Sequence, residues 1–185
     1  MLRDFAIGDV FRHNEFMLWR LVFIRHGDRD ASASEVDNGL SLKGREQVKG
    51  LERFIKSRQK RDKEFASGKI LWFSSPKLRC QQTISPLAEL VSGAKPQVDP
   101  RVDEAAFRES EEDFTQRIEE FIQELSRQNA QWVFVCSHAD WLPIALDYVG
   151  GRALPMNKGA WVEYTMLGVG GELSWICPDP LIFSL

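Results

Sequence analysis

Three short polar clusters carry the residues of this sequence that could do chemistry, and each directly follows an apolar run. Leu21-Val22-Phe23-Ile24 leads into Arg25-His26-Gly27. Ile70-Leu71-Trp72-Phe73 leads into Ser74-Ser75-Pro76 and, one helical turn on, Arg79. Trp132-Val133-Phe134-Val135-Cys136 leads into Ser137-His138. Uninterrupted apolar runs of this length suit strands buried on both faces of a parallel sheet. Ligand sites in open α/β sheets lie at the carboxyl ends of the strands, so two arginines and two histidines are expected to converge at one edge. The guanidinium forks of Arg25 and Arg79 suit bidentate contact with phosphate oxygens. A helix opening at Pro76, with Ser75 as its N-cap, would add unpaired N–H groups and a positive dipole end. Gly27 would let the backbone approach the anion closely. Like-charge repulsion from the two arginines would keep His26 neutral, and only a neutral imidazole has the lone pair to attack phosphorus.

The elements that must position these residues can be read from the same pattern. Leu42 to about Lys60 has helical spacing, with Val48, Leu51, Phe54 and Ile55 on one face. Residues 56–69 are rich in Lys and Arg and read as the solvated end of that helix and a loop, with a basic docking patch as the alternative. The second helix runs through Ile84 and Leu87 to about Val91 and is ended by Gly93. Gln97-Val98 is a candidate short strand before Pro100. Residues 111–128 form an acidic amphipathic helix with Phe114, Ile118, Phe121, Ile122 and Leu125 on its apolar side. A further helix begins near Asp140. Trp161 to Leu167 and Glu172 to Cys177 flank Gly168 and Gly170-Gly171, and read as an antiparallel pair. The expected fold is α/β, a three-layer sandwich with a mostly parallel central sheet, antiparallel strands near the C-terminus and helices on both faces.

Length and composition set the limits. A chain of 185 residues with 43% hydrophobic residues fits one globular domain able to bury a core without disulfides. We expect residues 1–16 to be an N-terminal extension and residues 17–185 a single domain. Net charge is −3, from 24 basic and 27 acidic residues, which argues against a nucleic-acid partner. No apolar run approaches the ~20 residues needed to span a bilayer, and the N-terminus has no continuous signal-peptide core. No membrane partner and a cytoplasmic location are therefore expected. Cys80, Cys136 and Cys177 are odd in number and show no CxxC spacing, so they read as buried thiols in a reducing compartment. His13 lies in the extension and is assigned no role. Trp72 and Trp132 read as core, and Trp141 as a candidate pocket wall. The Ser74-Ser75 pair lacks a Gly-x-Ser-x-Gly elbow, and the chain lacks the glycine loops of nucleotide-binding domains.

The Arg25-His26-Gly27 tripeptide, the Ser74-Ser75-Pro76-x-x-Arg79 segment with Gln82-Thr83 behind it, and the Ser137-His138 pair resemble the histidine phosphatase superfamily, the phosphoglycerate-mutase-like proteins. Leu40-Ser41-x-x-Gly44 resembles that family's opening of the first helix. Glu109-Ser110-x-x-Asp113-x-x-x-Arg117 resembles its Glu-Ser-x-x-Asp-x-x-x-Arg helix start. The matches run in family order from residue 21 to about 149.

The resemblance implies that His26 is a nucleophile that becomes phosphorylated. It also implies that Arg25, Gly27, Arg79 and His138 bind the phosphoryl group. It implies no metal and no other cofactor. An acid must protonate the leaving oxygen, and the segment Asp99 to Glu104 resembles the stretch that carries it in the family. Glu104 is favoured there, with Asp103 and Asp28 as alternatives. The implied substrate is a phosphorylated small molecule or a phosphoprotein. Ala139 stands where the family often has Gly, and Asp28-Arg29-Asp30 replaces the mutases' Glu-Thr. Size, Asp28 and the closing Trp175-Ile176-Cys177-Pro178 resemble the small bacterial phosphohistidine phosphatases, whereas the Glu109-Ser110 helix start resembles small-molecule phosphatases. A mutase-like phosphoryl transferase and a non-catalytic phosphate-binding regulator are the competing functions.

Overall fold

The computed structural model describes residues 18–32, 37–62, 65 and 68–184. The expected extension, residues 1–16, and His13 lie outside them. Six strands form one sheet in the order β3-β2-β4-β1-β5-β6. They are β1 (Trp19–Arg25), β2 (Ile70–Ser74), β3 (Gln97–Val98), β4 (Trp132–Ser137), β5 (Trp161–Leu167) and β6 (Gly170–Cys177). Strands β1 to β4 run parallel, while β5 lies antiparallel to β1 and β6 antiparallel to β5. The described helices are α1 (Leu42–Arg61), α2 (Leu78–Ser92), α3 (Glu111–Leu125) and α4 (Trp141–Gly150).

Alternation along the strands builds two cores, one on each face of the sheet. Leu21 and Phe23 of β1 join Val133 and Val135 of β4 under α3 and α4. Val22 and Ile24 join Trp132, Phe134 and Cys136 over α1 and α2. The apolar stripe of α1 (Val48, Leu51, Phe54, Ile55) is buried, as its spacing requires. Gly93 ends α2 in the left-handed region at φ 63°, where glycine carries no Cβ penalty.

Several expectations need correction. The helix expected at Pro76 begins at Leu78; Ser75 Oγ still accepts from the Lys77 N–H ahead of it, and donates to Asp103. Helix α3 stops at Leu125, and Ser126 Oγ turns back to the carbonyl of Gln123 at 2.7 Å. Strand β6 starts at Gly170, since both Gly170 and Gly171 join the ladder to β5. Trp141 does not line a pocket. It is fully buried between Phe23 and Phe121, and its indole N–H donates to the carbonyl of Arg101 at 2.8 Å.

The basic stretch after α1 is not wholly solvated either. Phe65 is completely buried, edge-on to Trp132 with ring centres 4.7 Å apart. Arg58 reaches Glu163 on β5 with two bonds of 2.6 and 3.1 Å, while its guanidinium lies 5.4 Å from the centre of the Trp132 ring. Glu163 is only 1% exposed. Removing one member of such a pair leaves an uncompensated buried charge. Glu163→Gln is expected to cost about 3 kcal/mol of stability, read as a lower urea midpoint at unchanged m-value.

Candidate functional site

Strand register makes the site. β1 and β4 are parallel neighbours with Arg25 opposite Ser137, so His26 and His138 leave the sheet side by side. The ladder continues one step further, with the His26 N–H donating to the carbonyl of Ser137 and the Ser75 N–H to that of Cys136. The two imidazole centres stand 5.2 Å apart. Arg79, in the first turn of α2, reaches the same place and approaches His138 Nδ1 at 3.2 Å. His26, Arg79 and His138 are 6%, 5% and 2% exposed.

His26 is the most constrained of these groups. Its Nδ1 lies 2.7 Å from the carbonyl of Gly27. A carbonyl only accepts, so Nδ1 carries the hydrogen and Nε2 keeps its lone pair. The ring's pKa falls from 6.5 to about 3. Burial is the main cause, with the charges of His138, Arg79 and Arg25 adding smaller amounts. The repulsion expected from the arginines is thus a secondary contribution.

The flanking motifs act as struts. Gly27 donates its N–H to Thr83 Oγ1, which in turn donates to the carbonyl of Arg79, tying the nucleophile loop to α2. Gln82 Oε1 accepts from the Leu40 N–H at 2.7 Å. Ser41 caps α1, accepting from the Gly44 N–H and donating to Asp28 Oδ2. A Cβ on Gly44 would lie 2.1 Å from the Asp28 carbonyl oxygen, so only glycine lets α1 start this close to the loop. A Cβ on Gly27 would press on Gly44 and Leu40 at 3.1 Å. Close packing on α1 is therefore one thing the structure asks of Gly27.

The three acid candidates separate. Asp28 is spent in structure, with Lys158 Nζ on Oδ1 at 2.6 Å and Ser41 on Oδ2 at 2.7 Å. Asp103 accepts from Ser75 Oγ at 2.8 Å and lies 3.3 Å from His138 Nε2. Glu104 is 39% exposed and accepts from Arg79 Nη2 at 2.5 Å, with Lys77 Nζ 3.4 Å away. Burial alone would raise the Glu104 carboxyl, but Arg79, His138 and Lys77 outweigh it and hold it below the ordinary range. Arg117 braces the loop that carries both acids. It pairs with Glu109 and donates to the carbonyls of Arg101, Asp103 and Glu104.

Some partners had no sequence signal. The carbonyl of Met156 accepts from Arg25 Nη1 at 2.6 Å. The Gly159 N–H bonds the carbonyls of both Arg25 and His26. Asp37 accepts the Leu78 N–H at 2.9 Å and sits 3.7 Å from Arg79, so the α2 end expected to offer free N–H groups has a carboxylate on it. The Nε atoms of Arg25 and Arg79 are buried with no hydrogen-bond partner among the described residues. Buried donors of this kind are rare unless a ligand satisfies them. Cys80, Cys136 and Cys177 are free and buried. Among the described residues, no group of three or more His, Cys, Asp or Glu side chains could hold a metal ion. Among the described residues, no helix is long and apolar enough to cross a membrane.

Comparisons with known proteins bear on this arrangement. The solved structure of the protein histidine phosphatase SixA complexed with tungstate matches with a TM-score of 0.69 and 18% identity, over 88% of this chain and 98% of that one. A mycobacterial glucosyl-3-phosphoglycerate phosphatase matches at 0.63 and 18%, over 84% and 97%. A phosphoserine phosphatase mutant from Entamoeba histolytica, in complex with phosphoserine, matches at 0.58 and 12%, over 85% and 95%. At these identities the likeness is one of fold. No curated protein matches the chain. The family model described as histidine phosphatase superfamily (branch 1) matches residues 21–112, a span that takes in Arg25, His26, Arg79 and Glu104. His138, beyond that span, is delivered to the same edge by the pairing of β4 with β1, and the chain belongs to the histidine phosphatase superfamily.

Proposed function

We propose that this chain is a metal-independent phosphatase that hydrolyses a phosphate ester or phosphohistidine through a phosphohistidine intermediate at His26. The observation that carries the reading is the buried, neutral His26, with Nδ1 fixed on the Gly27 carbonyl and Nε2 free, beside Arg79 and His138. The unpaired Nε atoms of Arg25 and Arg79 support it, as donors that a phosphoryl group would satisfy. In the first step His26 Nε2 bonds to phosphorus while the bond from phosphorus to the leaving oxygen breaks. Arg25, Arg79 and His138 neutralise the charge on the equatorial oxygens, the part that Mg²⁺ takes in other phosphoryl transfers.

Glu104 supplies the proton to the leaving oxygen. It then takes one from the water that displaces His26 from phosphorus, which regenerates the neutral imidazole. Its ion pair with Arg79 makes it anionic at rest. An arriving phosphate dianion competes for Arg79, which removes the main stabilisation of the Glu104 carboxylate and raises its pKa towards that of a working acid. Asp28 has both carboxylate oxygens bonded, and Asp103 has Oδ1 committed to Ser75 beside His138, so Glu104, the more exposed of the two acids on this loop, is the one we assign to the task.

The test is turnover of phosphate esters in excess chelator with leaving groups of different basicity. Wild-type protein releases phosphate from all of them. Glu104→Gln loses about 10²–10⁴-fold in kcat/KM on alkyl phosphates. It loses much less on p-nitrophenyl phosphate, whose phenolate leaves without a proton. Equal losses on both would remove Glu104 from the acid role. Transfer to an added alcohol in preference to water would mark a transferase, and binding without turnover a regulator.

A further inference from the structure

We propose that Asp103, working through Ser75, is a positioning residue that fixes the His138 ring and keeps it protonated while its Nδ1 faces the phosphoryl site. The proposal rests on the phosphatase reading above and adds a residue that never touches substrate.

The hydrogen-bond directions follow from counting protons. The Ser75 hydroxyl has one hydrogen, and at 2.8 Å it goes to Asp103 Oδ1, which as a carboxylate oxygen only accepts. Towards His138 Nε2, also 2.8 Å away, Ser75 Oγ can therefore only accept, so Nε2 carries a hydrogen. Asp103 Oδ1 itself lies 3.3 Å from Nε2 and places a negative charge against it. The opposite nitrogen, Nδ1, faces Arg79 Nη2 at 3.2 Å and Glu104 Oε2 at 3.7 Å, the pair that a phosphate would separate. With phosphate there, a second hydrogen on Nδ1 has an anionic acceptor. A ring 2% exposed cannot take its second charge from solvent ions, so the carboxylate behind it supplies the balance.

Every charged or titratable neighbour bears on this. Arg79 opposes protonation from α2, as does any charge on His26 at the end of β1. Cys80 Sγ, also on α2, lies 3.5 Å from Nε2 and is hydrogen-bonded to Cys136 on β4. Lys77 Nζ sits 3.8 Å from Asp103 and 3.4 Å from Glu104. Asp140, ahead of α4, acts on Arg25. The balance favours the cation. Burial would lower the His138 pKa, but Asp103 first and Cys80 next raise it to about 9. Asp103 is itself held down to about 2, burial being outweighed by His138 and Ser75, so it stays ionised throughout.

The measurement is the imidazole ¹⁵N titration of His138 in the full chain, together with kcat and KM against pH. Asp103→Asn keeps the shape and removes the charge. It is expected to lower the His138 titration from near 9 by about one unit or more. The alkaline limb of the rate profile should move down with it, with kcat falling more than KM rises. Cys80→Ser should move both in the same direction but by less than Asp103→Asn does. An Asp103→Asn protein whose His138 titration and alkaline limb stay put overturns the proposal, as does a larger shift in Cys80→Ser. The titration is read without turnover, so the proposal can fail while the phosphatase reading stands, and the reverse.

Discussion

His26→Ala is expected to abolish turnover, with kcat/KM lower by on the order of 10⁴–10⁶-fold, as when a nucleophile is removed from a site whose parts act as a unit. Nothing else at this edge can take over the attack. His138 has Nε2 engaged with Ser75 and Asp103 and is held protonated, so it lacks a free lone pair there. Burial would raise the Cys80 thiol, but its bonds to Cys136 and His138 outweigh that and pull it down; it is wholly buried behind His138 and out of reach of a substrate. The loss should come with little change in binding of inorganic phosphate, because the cationic groups remain. The wild-type acid limb follows from the same residue. With a pKa near 3, His26 is neutral at every pH above that value, so its ionisation does not cut activity between pH 6 and 4. A His26 imidazole ¹⁵N titration near 6.5 in the free protein, matched by an acid limb of kcat/KM at the same pH, would contradict this placement.

Arg79→Ala should cost about 10²–10³-fold in kcat, the usual loss for one fixed donor aimed at developing charge. Arg79 stands at the junction of the site, 2.5 Å from Glu104, 3.2 Å from His138 Nδ1 and 3.7 Å from Asp37. Its removal also frees Glu104 from the charge that keeps its carboxyl low, so the acid is protonated at higher pH in the resting enzyme. The expected signature is thus double: a lower kcat and an acid-group pKa moved up. Arg79→Lys should recover only part of the rate, since a single ammonium cannot reproduce the fork that holds one partner while another is released. A variant with unchanged kcat would show that the charge at this corner does not act on the transition state.

The sequence made the strand ends legible because buried parallel strands write themselves as unbroken apolar runs, and the residue after such a run must emerge at the carboxyl edge. His26, Arg79 and His138 were found in this way, and the structure brings all three together. Helix faces such as Val48, Leu51, Phe54 and Ile55 were equally clear, since a 3.6-residue period has few rivals. Isolated residues were not. Phe65 sits alone in a basic stretch with no period to reveal its burial, and Trp141 follows His138 closely enough to suggest a pocket it does not line. Ser75 reads as a helix cap because its neighbour is proline, and its Oγ does accept the Lys77 N–H, but its bond to Asp103 across the site leaves no trace in local pattern. The Met156 carbonyl on Arg25 and the Asp37 carboxylate on α2 are contacts between distant chain segments, and local pattern carries no trace of them.

The central claim is covalent, so the most direct measurement is to trap the intermediate. Brief reaction with a ³²P-labelled phosphodonor, a quench in alkali and peptide mapping should place the label on the peptide containing His26, stable to base and lost in acid. The label should be absent from His26→Ala and, with a donor such as p-nitrophenyl phosphate whose leaving group needs no proton, should accumulate in Glu104→Gln, where the second step lacks its base. Phosphate release by wild-type protein with no labelled intermediate on His26, or with the label on a serine or on His138, would contradict the account.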